Sequence, residues 1–163
     1  MRALSAALIA ATMMVAIPAN ASEAEFLETL EGNWSGGGSI RLKPEDNPIT
    51  VDCKLSSVAA SESLSMDGSC NAMIVMSRAI GADLNVNGTS YSGTYTGAAR
   101  GTATQAGSRS GETVNLQVAW PESGRAATMQ LSAAGGSMRI VTTEAHPDTG
   151  EAIVTAQLSF QRR

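Results

Sequence analysis

From Ile49 to the end of the chain, apolar and polar side chains alternate almost one by one. That spacing gives a β-strand one dry face and one wet face. Ile49, Val51, Cys53 and Leu55 alternate with Thr50, Asp52, Lys54 and Ser56. Leu64, Met66, Gly68, Cys70 and Ala72 alternate with Ser65, Asp67, Ser69 and Asn71. Val114, Leu116, Val118 and Trp120 form a third run, stopped by Pro121. Ala127, Met129, Leu131 and Ala133 form the next, and Gly135-Gly136 turns it back into Met138, Ile140 and Thr142. After a turn at His146 to Gly150, Ala152, Val154, Ala156, Leu158 and Phe160 complete the series. A helix would repeat its apolar face every three to four residues, so none of these stretches reads as one.

Between these runs, Asn87-Gly88 is a hairpin signal, because both central residues of a type I′ turn need positive φ. Counted outward from it, Leu84 is expected opposite Tyr91, Ala82 opposite Gly93 and Ile80 opposite Tyr95. Tyr91, Gly93, Tyr95 and Gly97 place large and absent side chains alternately on one face, as curved sheets and small barrels do. Arg78 shares the parity of Ile80, and its charge is expected in water beyond the strand end. Met73 to Met76 is continuously apolar, either a bend between strands or a short helical turn. Gly97 to Gly111, with Arg100 and Arg109, is glycine-, serine- and threonine-rich and is expected to run from a strand end into a mobile loop.

One helix is expected, over Ser22 to Leu30. Ser22 can cap it, acidic residues follow, and Phe26, Leu27 and Leu30 share a face. Gly32 ends it, and Trp34 opens the first strand. Eight or nine short strands with tight connections follow from this reading, with no helix among them. The expected fold is all-β: a single up-and-down antiparallel β-barrel of about eight strands with a short N-terminal helix. Closure leaves no bare edge.

Residues 1–21 are expected to be a secretory signal peptide. Arg2 supplies the positive start, Ala3 to Ile17 is almost unbroken apolar sequence, and Ala19-Asn20-Ala21 is a small-x-small cleavage site. The apolar core is too short for a membrane span. Cleavage between Ala21 and Ser22 leaves one domain, 22–163, in the periplasm or secreted. Without Arg2 the chain becomes one unit more negative than its full-length charge of −4. A balance of that sign is repelled by phosphate backbones, so nucleic acid is not expected as a partner.

In such a compartment Cys53 and Cys70, the two cysteines of the chain, read as a disulfide. If Ala60 to Ser63 connect their strands, the two residues stand directly opposite each other on the apolar face. The C-x-x-C spacing of thiol oxidoreductases is missing. With a single histidine, thiol and imidazole ligands are too few for a metal site. Neither a metal nor another cofactor is expected.

Gly32-Asn33-Trp34, after a short helix and opening the first strand, resembles the G-x-W signature of lipocalins and the wider calycin group, which includes the avidins. The resemblance implies a tryptophan closing one barrel end, with a basic side chain from the last strand across its ring. Arg162, which shares the parity of Phe160, fits that part. Gly36-Gly37-Gly38-Ser39 is similar to the open first strand of avidins, but the biotin-contacting aromatic set has no counterpart, so biotin binding is not implied. The chain is also similar to small periplasmic inhibitors of metalloproteases, compact barrels with one disulfide and an early tryptophan. Those are shorter, and Ser22 to Leu27 does not match their inhibitory arm.

An outer-membrane barrel would need an apolar outer band with aromatic girdles. The faces expected outward instead carry Asp52, Lys54, Asp67, Asn115, Gln117, Arg139 and Gln157, so the barrel is not expected to span a membrane. Catalysis finds no framework either. His146 lies in a His-Pro-Asp-Thr-Gly turn, and neither a G-x-S-x-G elbow nor an H-E-x-x-H pair accompanies it. Glu45-Asp46 and Glu62 read as solvated loop charges. The chain is therefore expected to be no enzyme but a binding protein. It would take a small apolar or amphipathic ligand into the barrel mouth, or engage an envelope component. Trp34, Tyr91, Tyr95, Val118 and Met129, large and inward by parity, are the candidate ligand contacts. A cavity of a few hundred cubic ångströms is expected for that ligand, and a solidly filled interior would remove the reading. The alternative is a protein-interaction module, such as a periplasmic protease inhibitor or envelope-assembly factor, using surface loops, notably Gly97 to Gly111.

Overall fold

A computed structural model describes residues 19–72, 76–97 and 101–163. Helix α1 (Ala19–Leu30) leads into ten strands. These are β1 (Gly32–Ile40), β2 (Ile49–Ala60), β3 (Ser63–Ala72), β4 (Met76–Asn87) and β5 (Ser90–Thr96). They continue with β6 (Thr102–Ser110), β7 (Thr113–Trp120), β8 (Arg125–Ala134), β9 (Ser137–Ala145) and β10 (Ala152–Arg162). Each strand pairs antiparallel with its neighbours in sequence, and β1 pairs with β10, so the sheet closes into a barrel. The strand count is ten rather than about eight.

The extra strand is β6, in the stretch expected to be a loop. Its inward positions hold Ala103, Gln105, Gly107 and Arg109, a set with no apolar period to read. Pairing with β5 on one side and β7 on the other makes it a strand all the same. Residues 98–100 of the expected loop, like 73–75 of the Met73 to Met76 run, lie outside the described residues. So does most of the expected signal peptide: only Ala19, Asn20 and Ala21 are described, in the first turn of α1. Ser22 therefore lies inside the helix rather than at its cap.

Alternation otherwise holds closely. Val51, Cys53 and Leu55 on β2 and Val114, Leu116, Val118 and Trp120 on β7 are buried, with exposed residues between them. Two registers differ from expectation. The β4–β5 turn is centred on Gly88 and Thr89, so Leu84 faces Gly93 and Val86 faces Tyr91. A shift of two keeps every side chain on its face, which is why parity was right and partners were wrong. On β10 a bulge between Val154 and Ala156 reverses the parity of the strand start. Thr155 turns inward and Val154 is left 46% exposed. Arg78 is exposed, but on β4 opposite Cys70 rather than past the strand end.

Cys53 and Cys70 are directly paired across β2 and β3 and form a disulfide. A structural bridge of this kind belongs to an oxidising, extracellular-type compartment. Gly93 shows why β5 alternates tyrosine with glycine: a Cβ built there would lie 1.8 Å from the Asp83 carbonyl oxygen of β4. The backbones approach where the sheet bends, and only glycine fits.

Candidate functional site

The barrel has two unlike ends. At one end lie the turns after β2, β4, β6 and β8, and α1 lies across it. Phe26, Leu27 and Leu30 face into the barrel and are buried, each worth roughly 1.5–3 kcal/mol by area. Gly32 turns the chain from helix to strand at φ 127°, open in practice to glycine. Trp34 then places its indole under the last turn of α1. Its Nε1 donates to Leu30 O at 3.0 Å and to Ser57 Oγ at 3.3 Å, and Ser57 Oγ also donates to Leu30 O. Arg162 stacks over the indole at 4.9 Å and donates to Thr29 O at 2.6 Å. Carbonyls at a helix C-terminus have no partner within the helix and attract positive charge. Here the tryptophan and arginine of the G-x-W pattern satisfy them, tying α1 to both β1 and β10.

A second tie joins α1 to β5 and β6. Glu23 is buried; Arg109 Nε donates to its Oε2 at 2.8 Å, and Tyr91 Oη donates to its Oε1. Arg109 also stacks over Phe26 at 4.8 Å. Burial, the hydrogen bond to Glu23 and that carboxylate's charge push the Tyr91 phenol well above its ordinary 10.0, against a smaller opposite pull from Arg109. These three residues are separated by up to 86 positions, and no motif in the sequence joins them.

Above this plugged end lies an interior cavity of about 100 Å³. Its wall is apolar except for Tyr95, Gln105 and Thr142, and among the described residues it contains no Asp, Glu, Lys or Arg. Of the sequence-derived contacts, Tyr95 and Met129 line it. Trp34 and Tyr91 are committed to the plugged end, and Val118 is packed in the core opposite Gln105. The space is smaller than the few hundred cubic ångströms expected, because bulky side chains such as Met66, Met129 and Leu116 fill the interior. Gln105, only 3% exposed, was not among the candidates. Its Nε2 donates to Thr94 O at 2.8 Å, while its buried Oε1 accepts from no group among the described residues.

The cavity lies toward the end opposite α1. Ile40, Tyr95, Thr142 and Ala156 border both it and an outer hollow of about 70 Å³, which Arg41, Leu42, Gly97, Trp120 and Thr155 complete. Tyr95 and Trp120 meet edge to face there, 6.3 Å apart. Arg125 pairs with the buried Glu144 at 2.6 Å near the same end, joining β8 to β9. His146 stands in the β9–β10 turn and accepts from Asp148 N at 3.3 Å. Among the described residues no cluster of His, Cys, Asp or Glu is arranged to hold a metal ion.

No protein-family model and no curated protein matches this chain. Among solved structures it is similar to that titled "Crystal Structure of Rv2717c from M. tuberculosis". The two superpose with a TM-score of 0.68 at 13% identity, over 90% of this chain and 98% of that one. At such low identity the likeness shows a shared barrel fold and nothing further.

Proposed function

We propose that this is an exported, calycin-like barrel protein that works by binding rather than catalysis, and that it holds a small apolar or amphipathic ligand inside the barrel. The observation that carries this reading is the cavity, which has an almost wholly aliphatic wall and shares Ile40, Tyr95, Thr142 and Ala156 with an outer hollow. An engineered apolar cavity of about 150 Å³ takes up benzene. The inner space here is about 100 Å³, so the ligand is smaller than a drug-sized molecule or inserts only one end. The Trp34–Arg162 stack at the plugged end supports the calycin resemblance. Asp52, Lys54, Asp67, Arg139 and Gln157 are exposed on the outer face, which supports a barrel surrounded by water rather than lipid.

The loop-based interaction module loses its main support, because 102–110 of the proposed contact loop is strand β6. Benzene titrated into the isotope-labelled protein tests the preferred reading. Saturable shifts of the Met66 and Met129 methyl signals, with Met138 unmoved, are the expected result. An unchanged spectrum refutes a binding cavity. Recovery from the envelope fraction of a chain beginning at Ser22 tests export, and a retained Met1 refutes it.

A further inference from the structure

Resting on the cavity reading above, we propose that the ligand is neutral and carries a hydrogen-bond donor, a hydroxyl or N–H, which Gln105 Oε1 accepts. The amide orientation is not arbitrary. Thr94 O can only accept, so the amide nitrogen must face it, and the 2.8 Å bond fixes the carbonyl oxygen on the other side. That oxygen is buried without a donor among the described residues, a state that native proteins seldom leave uncompensated. Gln105 sits between Gly93 on β5, which has no side chain, and Val118 on β7, whose side chain is apolar, so neither directly opposed residue offers it a side-chain donor. A purely structural position on this wall would be better served by leucine, which leaves no acceptor stranded.

The rest of the wall sets the remaining chemistry. With no charged side chain among the described residues around the cavity, an ionised headgroup there would be desolvated without a counter-charge, which disfavours carboxylates and ammonium groups. The aliphatic residues suit an apolar body, and the unpaired Gln105 carbonyl suits one donor on it. Such a site separates a donor-bearing molecule from its plain hydrocarbon analogue, because only the first satisfies the buried carbonyl.

Phenol and benzene are the probes, measured by calorimetry on the native protein and on Gln105→Met, which keeps side-chain length and removes the acceptor. Phenol is expected to bind the native protein about fivefold more tightly than the variant, from the usual net worth of one hydrogen bond. Benzene is expected to bind the variant at least as well as the native protein. Independently of the variant's stability, the Gln105 side-chain carbonyl ¹³C signal of the native protein should move with phenol and stay with benzene. Equal phenol affinity for both proteins, or a Gln105 carbonyl that ignores bound phenol, overturns the acceptor role while leaving the cavity reading intact. Failure of both probes to bind the native protein overturns the two together.

Discussion

The Cys53–Cys70 bridge gives a stability prediction whose size depends on chain length alone. The cysteines are 17 positions apart, so the bond closes a loop of about eighteen residues in the unfolded chain. Loop-closure entropy then makes the bridge worth about 3 kcal/mol at 25 °C. For a domain of this length that corresponds to a melting-temperature loss of about 10 °C. Two perturbations separate the entropy from the packing. Reduction keeps both sulfur atoms in place, and so removes only the loop constraint. The double variant Cys53→Ala/Cys70→Ala also empties their volume. Both residues are buried, so it should melt lower still. Calorimetry of oxidised, reduced and double-alanine protein measures the two steps. The far-UV circular dichroism should be unchanged at low temperature, because the β2–β3 ladder runs seven residue pairs from the bridge to the turn and two more on its other side. A reduced protein melting within about 3 °C of the oxidised one would refute the loop-closure account.

Two other perturbations address the plugged end. The raised Tyr91 pKa has a definite sign: the folded state keeps a proton that the unfolded chain gives up above about pH 10. Stability from this group is complete below that pH and falls as pH rises beyond it, by up to about 1.4 kcal/mol per pH unit. Denaturant titrations from pH 9 to 11 should show a shallower decline for Tyr91→Phe than for the native protein; parallel curves would refute the assignment. Arg162→Ala should cost about 1–2 kcal/mol, through the exposed stack on Trp34 and the charged hydrogen bond to Thr29 O. Arg162→Lys should recover only part, lacking the planar face. An alanine variant with unchanged denaturation midpoint would show that the stack contributes nothing.

Much of this barrel was legible because burial on a strand has a period of two. The alternation on β2, β3, β7 and β8 carried both the fold class and the face of every side chain. The Cys53–Cys70 register followed from loop length, and the Arg162 stack followed from parity and resemblance. What failed on β6 has one cause: the inward residues there are mostly not apolar. On β6 the inward series Ala103, Gln105, Gly107, Arg109 carries no hydrophobic signal, and the strand is imposed by its neighbours. The same strand supplies the cavity's buried amide and the cation that holds α1. A charged side chain is held at the barrel interior here by a distant residue that answers it, as Glu23 answers Arg109. One-dimensional periodicity cannot express that dependence. The bulge in β10 was invisible for a simpler reason, since one extra residue changes parity without altering composition.

The order of the strands fixes when the molecule can become whole. Nine of the ten ladders join consecutive strands, so hairpins such as β2–β3 can form as soon as their residues are together. The tenth joins Trp34 to Arg162 across nearly the full chain. Contacts so remote in sequence carry a large closure cost and tend to be slow. Until they form, the three consecutive glycines of β1 and the last strand stand as two open margins, where other chains can add. The same ladder carries the arginine that clasps the helix, so the plug is secured only when the circle is complete.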